Sequence, residues 1–511
     1  MPDSPRHETL SEESRAWTST RWFGLVAGPL LALALYHLLP VHYVDSKSGA
    51  LVPLASSARA TLAVMAWMGV WWLTEALDIA VTALLPIVVF PLAGIASIGG
   101  ATAPYANAVI FLFLGGFVLA LSMQRWGLDR RIALVTLRFV GTRPSQMIGG
   151  FMLATAALSA FVSNTATTAL MLPIGLSVIA LADRAGGGGA ESRERRNFPV
   201  ALMLAIAFAS SIGGMATIIG TPPNLFLVGF LHDTQKIDVS FVGWLRVGLP
   251  LVAVLLPLAW LILTRWVYPV EREPIPGVQA SIREALAELG GMGRGERSTL
   301  WVFVLTALAW IFRPLVVKWS VLGAHPLAQL SDTGVAMIAA LALFLIPVDA
   351  GKRVFVMDWK SAEKLPWGVL ILFGGGLSLA SAVEHNQVAE FLGSQARAFA
   401  SWPALLIVVL VTAATALLTE LTSNTATAAT LVPILAALAP GLGIPVLHLV
   451  IPATLAASCA FMLPVATPPN AIVFASGRVT IRQMLLAGVW LDLLAVLPVT
   501  ALAYLGPAIG R

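Results

Sequence analysis

The chain has 511 residues, of which 58% are hydrophobic and 11% charged, and its mean hydropathy is +0.86. A soluble domain carries about 25% charged residues, so a soluble globular protein is excluded and the bilayer must solvate much of the apolar surface. The single cysteine, Cys459, excludes a disulfide framework and a cysteine metal site. The net charge of +5 is explained below by basic cytoplasmic segments rather than by nucleic-acid binding.

Apolar stretches follow one another along the chain, many of them near the roughly 20 residues that cross a bilayer as a helix. Residues 1–21 carry acidic and basic side chains, so we predict a cytoplasmic tail rather than a cleavable signal. An all-α polytopic membrane protein is therefore expected. Nine of its crossings are predicted near residues 22–40, 51–73, 77–95, 105–124, 243–267, 299–317, 333–347, 366–384 and 483–507.

Two apolar runs, 145–182 and 402–440, are too long for one helix, and each has a polar centre. The centres are Ser163-Asn164-Thr165 and Ser423-Asn424-Thr425. Polar backbone at membrane depth is tolerated only where it is buried in protein or lines a cavity. Each run therefore predicts a re-entrant hairpin that enters and leaves on one side of the membrane.

Each predicted hairpin is followed by an interrupted apolar segment, 198–231 in the first case and 447–476 in the second. The interruptions are Thr-Pro-Pro-Asn at 221–224 and at 467–470. Two consecutive prolines break a helix and release backbone carbonyls from hydrogen bonds. Adding these two broken helices brings the expected total to about eleven crossings and two hairpins.

Basic residues are unevenly distributed over the predicted loops. Of the 31 Lys and Arg residues, 23 lie in the segments 1–21, 125–143, 183–197, 265–298, 348–366 and 478–482. Cytoplasmic loops are enriched in Lys and Arg. We therefore predict an inner (plasma) membrane protein whose N-terminus is cytoplasmic and whose C-terminus is outside.

The chain also repeats itself. Ser163-Asn164-Thr165-Ala166-Thr167 recurs 260 positions later, and so do the paired glycines that follow Leu114. The Thr-Pro-Pro-Asn segments are 246 positions apart, because the second half lacks the glycine- and charge-rich loop 183–197. In the predicted topology the first hairpin opens inward and the second outward. The halves are thus expected to be inverted repeats, a plan of many secondary transporters.

The hairpin tips present hydroxyl, amide and free backbone groups. Their oxygens can bind a hard cation such as sodium, while amide donors and helix N-termini can bind a carboxylate. A single such triplet is more often hydrogen-bonding glue between helices, but two at the same repeat position favour binding. Ser159 and Thr419, four residues before each triplet, fit cation ligands or ordinary helix-backbone bonding. Acids within or at the edge of apolar runs, Glu75 and Glu420, are functional candidates or structural anchors.

The sequence resembles the divalent anion/sodium symporter family over nearly the whole chain after residue 20. The resemblance is carried by the two Ser-Asn-Thr and two Thr-Pro-Pro-Asn motifs, by Trp71–Ala76 and by Phe113–Phe117. Members move dicarboxylates, citrate or sulfate, and form homodimers with a scaffold domain and a moving transport domain. One departure is Asp78, where proline is expected, which would alter the start of that helix.

The resemblance implies two or more bound sodium ions and a small dicarboxylate anion. It implies a first sodium site of Ser159, Ser163, Asn164 and Gly220, for which Gly213 and Gly214 are nearby alternatives. A second site would use Thr419, Ser423, Asn424 and Ala466. Residues implied to contact the substrate are Asn164, Thr165, Thr221, Asn424, Thr425, Thr467 and Pro468.

The implied organisation follows the repeats. The cytoplasmic tail 1–21 precedes scaffold helices in 22–104 and 241–348, and the two transport-domain repeats cover 105–240 and 366–511. The amphipathic segments 125–143 and 386–399 would be the arms of an elevator-type movement. The expected binding partners are membrane lipid, the small dicarboxylate anion and a second copy of the chain in a homodimer, and no nucleic acid is expected.

Several functions remain open at this point. The first is sodium-coupled symport of C4-dicarboxylates such as succinate, malate and fumarate. The third residue of both triplets is Thr, which favours a dicarboxylate over sulfate or citrate. The alternatives are a sodium-independent exchanger of the same fold and a citrate or sulfate symporter. A membrane enzyme or structural membrane protein is a rival of another class, but an enzyme should show clustered acids, histidines or a metal motif, and none appears. A channel would not need inverted broken repeats, and the lack of a phosphate-binding Gly-Lys-Ser/Thr loop disfavours an ATP-driven pump.

Overall fold

The computed structural model of the protein describes residues 18–45, 49–185, 192–320 and 325–505. Most of the predicted cytoplasmic tail, 1–21, lies outside the described residues, and so does the glycine-rich part of the loop 183–197. The predicted outer C-terminus also falls outside them. Within the described ranges the fold consists mainly of helices, as the hydropathy indicated.

Helices occur in four consecutive groups. The first group is α1 (Ser19–Leu38), α2 (Ser56–Thr74), α3 (Ile79–Thr82), α4 (Leu85–Leu92) and α5 (Ile98–Thr102). The second is α6 (Ala108–Arg125), α7 (Leu128–Arg138), α8 (Pro144–Ser159), α9 (Asn164–Ala185), α10 (Arg193–Gly214) and α11 (Pro222–Gln235). The third is α12 (Phe241–Leu261), α13 (Val278–Glu288), α14 (Arg294–Val316), α15 (Asp332–Leu345) and α16 (Trp359–Ala362).

The fourth group repeats the order of the second. It consists of α17 (Trp367–His385), α18 (Val388–Ala396), α19 (Ala404–Thr419), α20 (Asn424–Leu442), α21 (Val446–Ala456), α22 (Pro468–Ala475) and α23 (Ile481–Leu505). The six helices α6–α11 correspond in order to α17–α22, and α12 corresponds to α23. The internal repeat seen in the motifs is therefore also a repeat of secondary structure.

Two small antiparallel hairpins were not expected from the sequence. Strand β1 (His42–Val44) pairs with β2 (Leu51–Pro53), with His42 opposite Pro53. Strand β3 (Pro347–Asp349) pairs with β4 (Val354–Phe355), with Pro347 opposite Phe355. Strands of two or three residues are too short for an alternating hydrophobic pattern to reveal them.

Among the described residues, nine helices are long and apolar enough to cross a membrane, or ten if α18 and α19 with their 112° bend count as one span. The stretch 77–95, which is expected to cross the membrane, contains two short helices, α3 and α4, and their combined length is below that of the nine long helices. The Asp78 carboxylate accepts the Ala80 N–H at 2.8 Å and starts α3, and Pro86 lies in the first turn of α4. Asp78 is thus the N-cap of α3. The total of eleven crossings stays a prediction.

Helix α10 is at the centre of the protein. Its run from Phe198 to Gly214 is almost entirely buried, and it packs against α8, α9, α12 and α22. Small residues allow this: an added Cβ at Gly213 would lie 2.4 Å from the Ala156 carbonyl oxygen of α8. The close approach of α8 and α10 brings the first predicted tip against the first predicted break.

The arm predicted within 125–143 is the amphipathic helix α7, which buries Leu128, Leu134 and Leu137 on one face. Its Arg131 forms a two-pronged ion pair with Glu296 at the start of α14, with Nη2 at 3.1 Å from Oε2. Both side chains are largely buried, so this ion pair holds α7 against the start of α14.

Candidate functional site

The first hairpin is formed by α8 and α9, which are joined by the four-residue tip 160–163. Helix α9 starts at Asn164, and Ser163 Oγ accepts the N–H of Ala166 at 3.3 Å. The Ser-Asn-Thr triplet is therefore a helix start, where backbone N–H groups have no partner within the helix. The second triplet has the same position, since α19 ends at Thr419 and α20 starts at Asn424.

Three oxygen atoms meet behind the first tip. Ser159 Oγ lies 2.6 Å from Asn164 Oδ1 and 2.7 Å from the carbonyl oxygen of Ser210 in α10. A hydroxyl has one hydrogen and can satisfy one of these acceptors at a time. Ser159 is fully buried, so the cluster has a surplus of acceptor oxygens away from bulk water. Such a surplus is suited to a hard cation.

The same arrangement recurs behind the second tip. Thr419 Oγ1 lies 2.8 Å from Asn424 Oδ1 and 2.8 Å from the carbonyl oxygen of Ala457, the residue after α21. Thr419 is also fully buried. Ser159 and Thr419 thus each join a tip asparagine to a broken helix. From the sequence, either cation binding or ordinary helix-backbone bonding was possible for both residues.

The first broken helix consists of α10 and α11, separated by 215–221, and it brings further carbonyl groups to the first tip. An added Cβ at Gly214 would lie 2.6 Å from Asn164 Oδ1 and 3.2 Å from the Gly220 carbonyl oxygen. One at Gly220 would lie 2.4 Å from the Gly214 carbonyl oxygen and 3.1 Å from that of Ala160. Glycine is required at both positions because backbone and side-chain oxygens approach so closely. Gly220 therefore belongs to this cluster together with Gly214.

Asparagines of the Thr-Pro-Pro-Asn motifs hold the two breaks in shape. Asn224 Nδ2 donates to the carbonyls of Thr217 at 2.9 Å and Gly214 at 3.2 Å. Asn470 Nδ2 donates to those of Ala460 at 3.1 Å and Leu463 at 3.0 Å. Both side chains are fully buried. Sequence reasoning used these residues only as part of a helix-breaking motif, although a buried asparagine beside free carbonyls is a signal for such a clasp.

Glu420 organises the second break, which separates α21 from α22. Its carboxylate accepts the N–H groups of Phe461 at 2.6 Å, Met462 at 2.9 Å and Leu463 at 3.0 Å. The position 260 residues earlier is Ala160, whose carbonyl instead accepts the Thr217 hydroxyl. The two halves therefore use different groups to hold the break against the tip.

The two halves also interlock. The first tip helix, α9, packs against α22, and the second tip helix, α20, packs against α11. Phe208 of α10 and Phe461 of the second break are in edge contact, with ring centroids 5.2 Å apart. Each tip helix thus lies beside the helix that follows the break in the other half.

The residues implied to face the substrate differ in exposure. Thr165 and Pro468 are exposed, and both tip asparagines are partly exposed. The predicted sodium ligand Ser163 is exposed as well. The hydroxyl residues Thr221, Thr425 and Thr467 are buried, with Thr467 Oγ1 accepting the Asn470 N–H at 3.3 Å. The described hydrogen bonds do not join Ser163, Ser423 or Ala466 to the oxygen clusters, so these three remain predicted ligands.

Glu75 lies apart from the tips. It ends α2 with a left-handed backbone, φ 47°, and pairs with Arg21 of α1 at 3.5 Å. An ion pair at a helix end fits the structural anchor that the sequence analysis gave as the alternative to a functional role for Glu75.

The sequence model of a protein family, the sodium:sulfate symporter transmembrane region, matches residues 38–507 of the chain. The chain belongs to this family. Relatives of this family member include the sodium-dependent dicarboxylate transporter SdcS of Staphylococcus saprophyticus, 39% identical over 96% of this chain and 92% of the relative. SdcS of Staphylococcus aureus is 40% identical over 97% and 92% of the two chains. The resemblance seen in the motifs is thereby confirmed.

Two solved structures share the fold of this family member. The YdaH transporter of Alcanivorax borkumensis superimposes with a TM-score of 0.58, covering 97% of this chain and 100% of that one at 16% identity. MtrF of Neisseria gonorrhoeae, described as an antimetabolite efflux pump, gives a TM-score of 0.58 over 95% and 94% of the chains at 11% identity. At these identities the likeness concerns the fold alone.

Proposed function

We propose that this family member is a secondary active transporter that moves small C4-dicarboxylates with sodium. The observation that carries the proposal is the repeated oxygen cluster, in which Ser159 and Thr419 each join a tip asparagine to a backbone carbonyl of a broken helix. Relatives about 40% identical over nearly the whole chain are named sodium-dependent dicarboxylate transporters, which supports the same cargo here.

In this proposal each oxygen cluster binds one sodium ion. Ser159, Asn164 and Gly220 would be ligands of the first ion, and Gly214 is close enough to add its carbonyl. Thr419 and Asn424 would be ligands of the second. Ser163 and Ser423 complete the proposed sets, since each precedes a tip asparagine. Ala466 is added to the second set because it stands at the repeat position of Gly220, directly before the Thr-Pro-Pro-Asn motif.

The dicarboxylate is proposed to bind between the two tips. The starts of α9 and α20 offer free N–H groups, and bound sodium supplies positive charge, so no basic side chain is required at the anion. The substrate contacts proposed are Asn164, Thr165, Thr221, Asn424, Thr425, Thr467 and Pro468. The third residue of both triplets is Thr, which favours a dicarboxylate over sulfate or citrate.

Uptake of labelled succinate into proteoliposomes tests the proposal. An inward sodium gradient should drive uptake, and equimolar choline should reduce it to the level of protein-free liposomes, because the anion site lacks its positive charge without sodium. Uptake that is equal in both buffers and needs internal dicarboxylate would identify a sodium-independent exchanger instead.

We further propose an elevator-type movement in the inner membrane, with a cytoplasmic N-terminus and an outer C-terminus. The moving part would be the two repeats with their re-entrant hairpins, 105–240 and 366–511, and the scaffold would be 22–104 and 241–348. The arms would be α7 and α18, and a homodimer would form through the scaffold. Movement of one repeat bundle against fixed helices is a general way to alternate access.

A disulfide across the proposed sliding surface should arrest this movement. An added Cβ at Gly69 of α2 would meet Thr430 Cγ2 of α20 at 3.4 Å but would lie more than 4 Å from Thr430 Cβ, so the two Cβ atoms would be about 4–5 Å apart, at the upper end of the disulfide range. In a Cys459→Ala background, oxidation of the Gly69→Cys/Thr430→Cys pair should stop uptake, and reduction should restore it. Each single cysteine is the control. A quantitatively cross-linked protein that still transports would refute sliding at this surface.

A further inference from the structure

The two halves of the proposed site differ in how far the rest of the protein covers them. Val465, in the break of the second half, is 82% exposed, whereas Ile219 at the same repeat position is 5% exposed. Leu421 of the second tip is 74% exposed, whereas Phe161 at the same repeat position is partly buried. The same two places are therefore covered in the first half and open in the second.

Helix α14 and the start of α7 cover the first tip. The Phe161 ring packs edge-on against the Phe303 ring of α14, with ring centroids 5.0 Å apart. The next tip residue, Val162, is buried in an apolar cluster with Leu128 of α7. Because α14 begins in the predicted cytoplasmic segment 265–298 and Phe303 is in its third turn, these contacts cover the first tip from the cytoplasmic side.

The exposed residues of the second half border water rather than lipid. Leu421 lies in the tip 420–423 and Val465 in the break 457–467, outside the α-helices on either side. Helix α21 has 11 residues, so the break begins about 16 Å from the start of that helix, inside an apolar core of about 30 Å. Non-helical backbone at this depth occurs only where it is buried in protein or lines a water-filled cavity. Since both residues are exposed, the second tip and break line such a cavity, and the second hairpin is predicted to open outward.

We propose that this conformation is open to the outside and that Phe161 and Phe303 form its inner seal, the barrier between the substrate site and the cytoplasm. The inference rests on the proposed transport function and names the residues that close one end of its path. Two packed aromatic rings exclude water without a hydrogen bond between them, so the contact can separate as a unit. Alternating access then requires that Phe161 leaves Phe303 while Leu421 becomes covered.

Labelling of single cysteines by a membrane-impermeant maleimide tests the assignment. Leu421→Cys and Phe161→Cys are made in full-length Cys459→Ala protein and compared in intact cells and in inside-out membrane vesicles, without sodium or dicarboxylate. Leu421→Cys should react from the outside, and Phe161→Cys should react from the cytoplasmic side at least about tenfold more slowly than an open position there, since a minor state is populated to 10% or less. The open positions are Phe399→Cys outside and Phe139→Cys inside, two exposed residues 260 positions apart.

The result would overturn the proposal in three cases. Fast cytoplasmic labelling of Phe161→Cys would show that the inner side is open. A Leu421→Cys that reacts from neither side, or only from the cytoplasm, would show that the second tip does not border an outer cavity. Labelling of Phe399→Cys only from the cytoplasm would reverse the predicted orientation.

Removing the scaffold ring tests the seal itself. Phe303→Ala should raise cytoplasmic labelling of Phe161→Cys and lower outside labelling of Leu421→Cys. Phe312→Ala is the matched control, because Phe312 is exposed on the same helix, and it should leave both rates unchanged. An unchanged pattern in well-folded Phe303→Ala would overturn the seal, and if that variant does not fold, the labelling with Phe303 in place decides. Labelling does not require transport, so a wild type that fails to take up succinate would refute the proposed function separately.

Discussion

Replacing Asn164 or Asn424 by alanine is expected to abolish sodium-driven succinate uptake. Each side-chain oxygen contacts a buried hydroxyl, at 2.6 Å from Ser159 and 2.8 Å from Thr419, and each asparagine starts a tip helix. Loss of a hydrogen-bonding partner of a charged group costs about 1.5–3 kcal/mol, which corresponds to roughly a 10- to 100-fold loss of apparent sodium affinity. The measurement is initial uptake as a function of sodium concentration.

Asn197→Ala is the matched control. Asn197 also donates to a backbone carbonyl, that of Pro269 at 2.9 Å, and is partly exposed like the tip asparagines, but it lies outside both oxygen clusters. It should transport like the wild type. If the tip variants aggregate during purification while Asn197→Ala does not, the tip asparagines are structural glue. Normal sodium dependence in a well-folded Asn164→Ala or Asn424→Ala would remove that residue from the proposed cation sites.

Gly220→Ala should also eliminate uptake, for a steric reason. The new Cβ would lie 2.4 Å from the Gly214 carbonyl oxygen, so one of the two backbone segments at the first tip must move. Strain of this kind costs about 1–3 kcal/mol, and the displaced group is a proposed sodium ligand. We expect a large rise in the sodium concentration needed for uptake, with much less effect on melting temperature than on transport.

Gly229→Ala separates this effect from a general intolerance of the broken helix. Gly229 is buried in α11, but an added Cβ would meet nothing closer than Leu377 at 3.5 Å, an ordinary contact. Its uptake should equal that of the wild type. Wild-type sodium dependence in Gly220→Ala would show that the Gly214–Gly220 approach has no part in cation binding.

The tips and breaks could be predicted from the sequence because their chemistry is local. A polar triplet inside an apolar run and two consecutive prolines set helix ends directly, so the run 145–182 corresponds to the helix pair α8–α9, although a re-entrant course stays a prediction. The repeat offset then related the two halves. Ser159 and Thr419 were candidates because both carry hydroxyls at symmetric positions, four residues before each triplet, and their role as ligands stays a prediction.

Other features depend on packing between distant segments. Glu420 was a candidate, but its partners at 461–463 are 41 to 43 positions away and cannot be read from its surroundings. The break within 77–95 was not foreseen, because the hydropathy of that stretch does not reveal that Asp78 starts one short helix and that Pro86 lies in the first turn of another.

Accumulation of succinate against its own gradient tests sodium coupling most directly. Proteoliposomes without internal dicarboxylate are given an inward sodium gradient, and labelled sodium and labelled succinate are followed together. Coupled transport predicts that internal succinate rises above the external concentration, that more than one sodium ion enters with each succinate, and that collapse of the sodium gradient releases it. Succinate that only equilibrates, with no accompanying sodium entry, would contradict the proposed function.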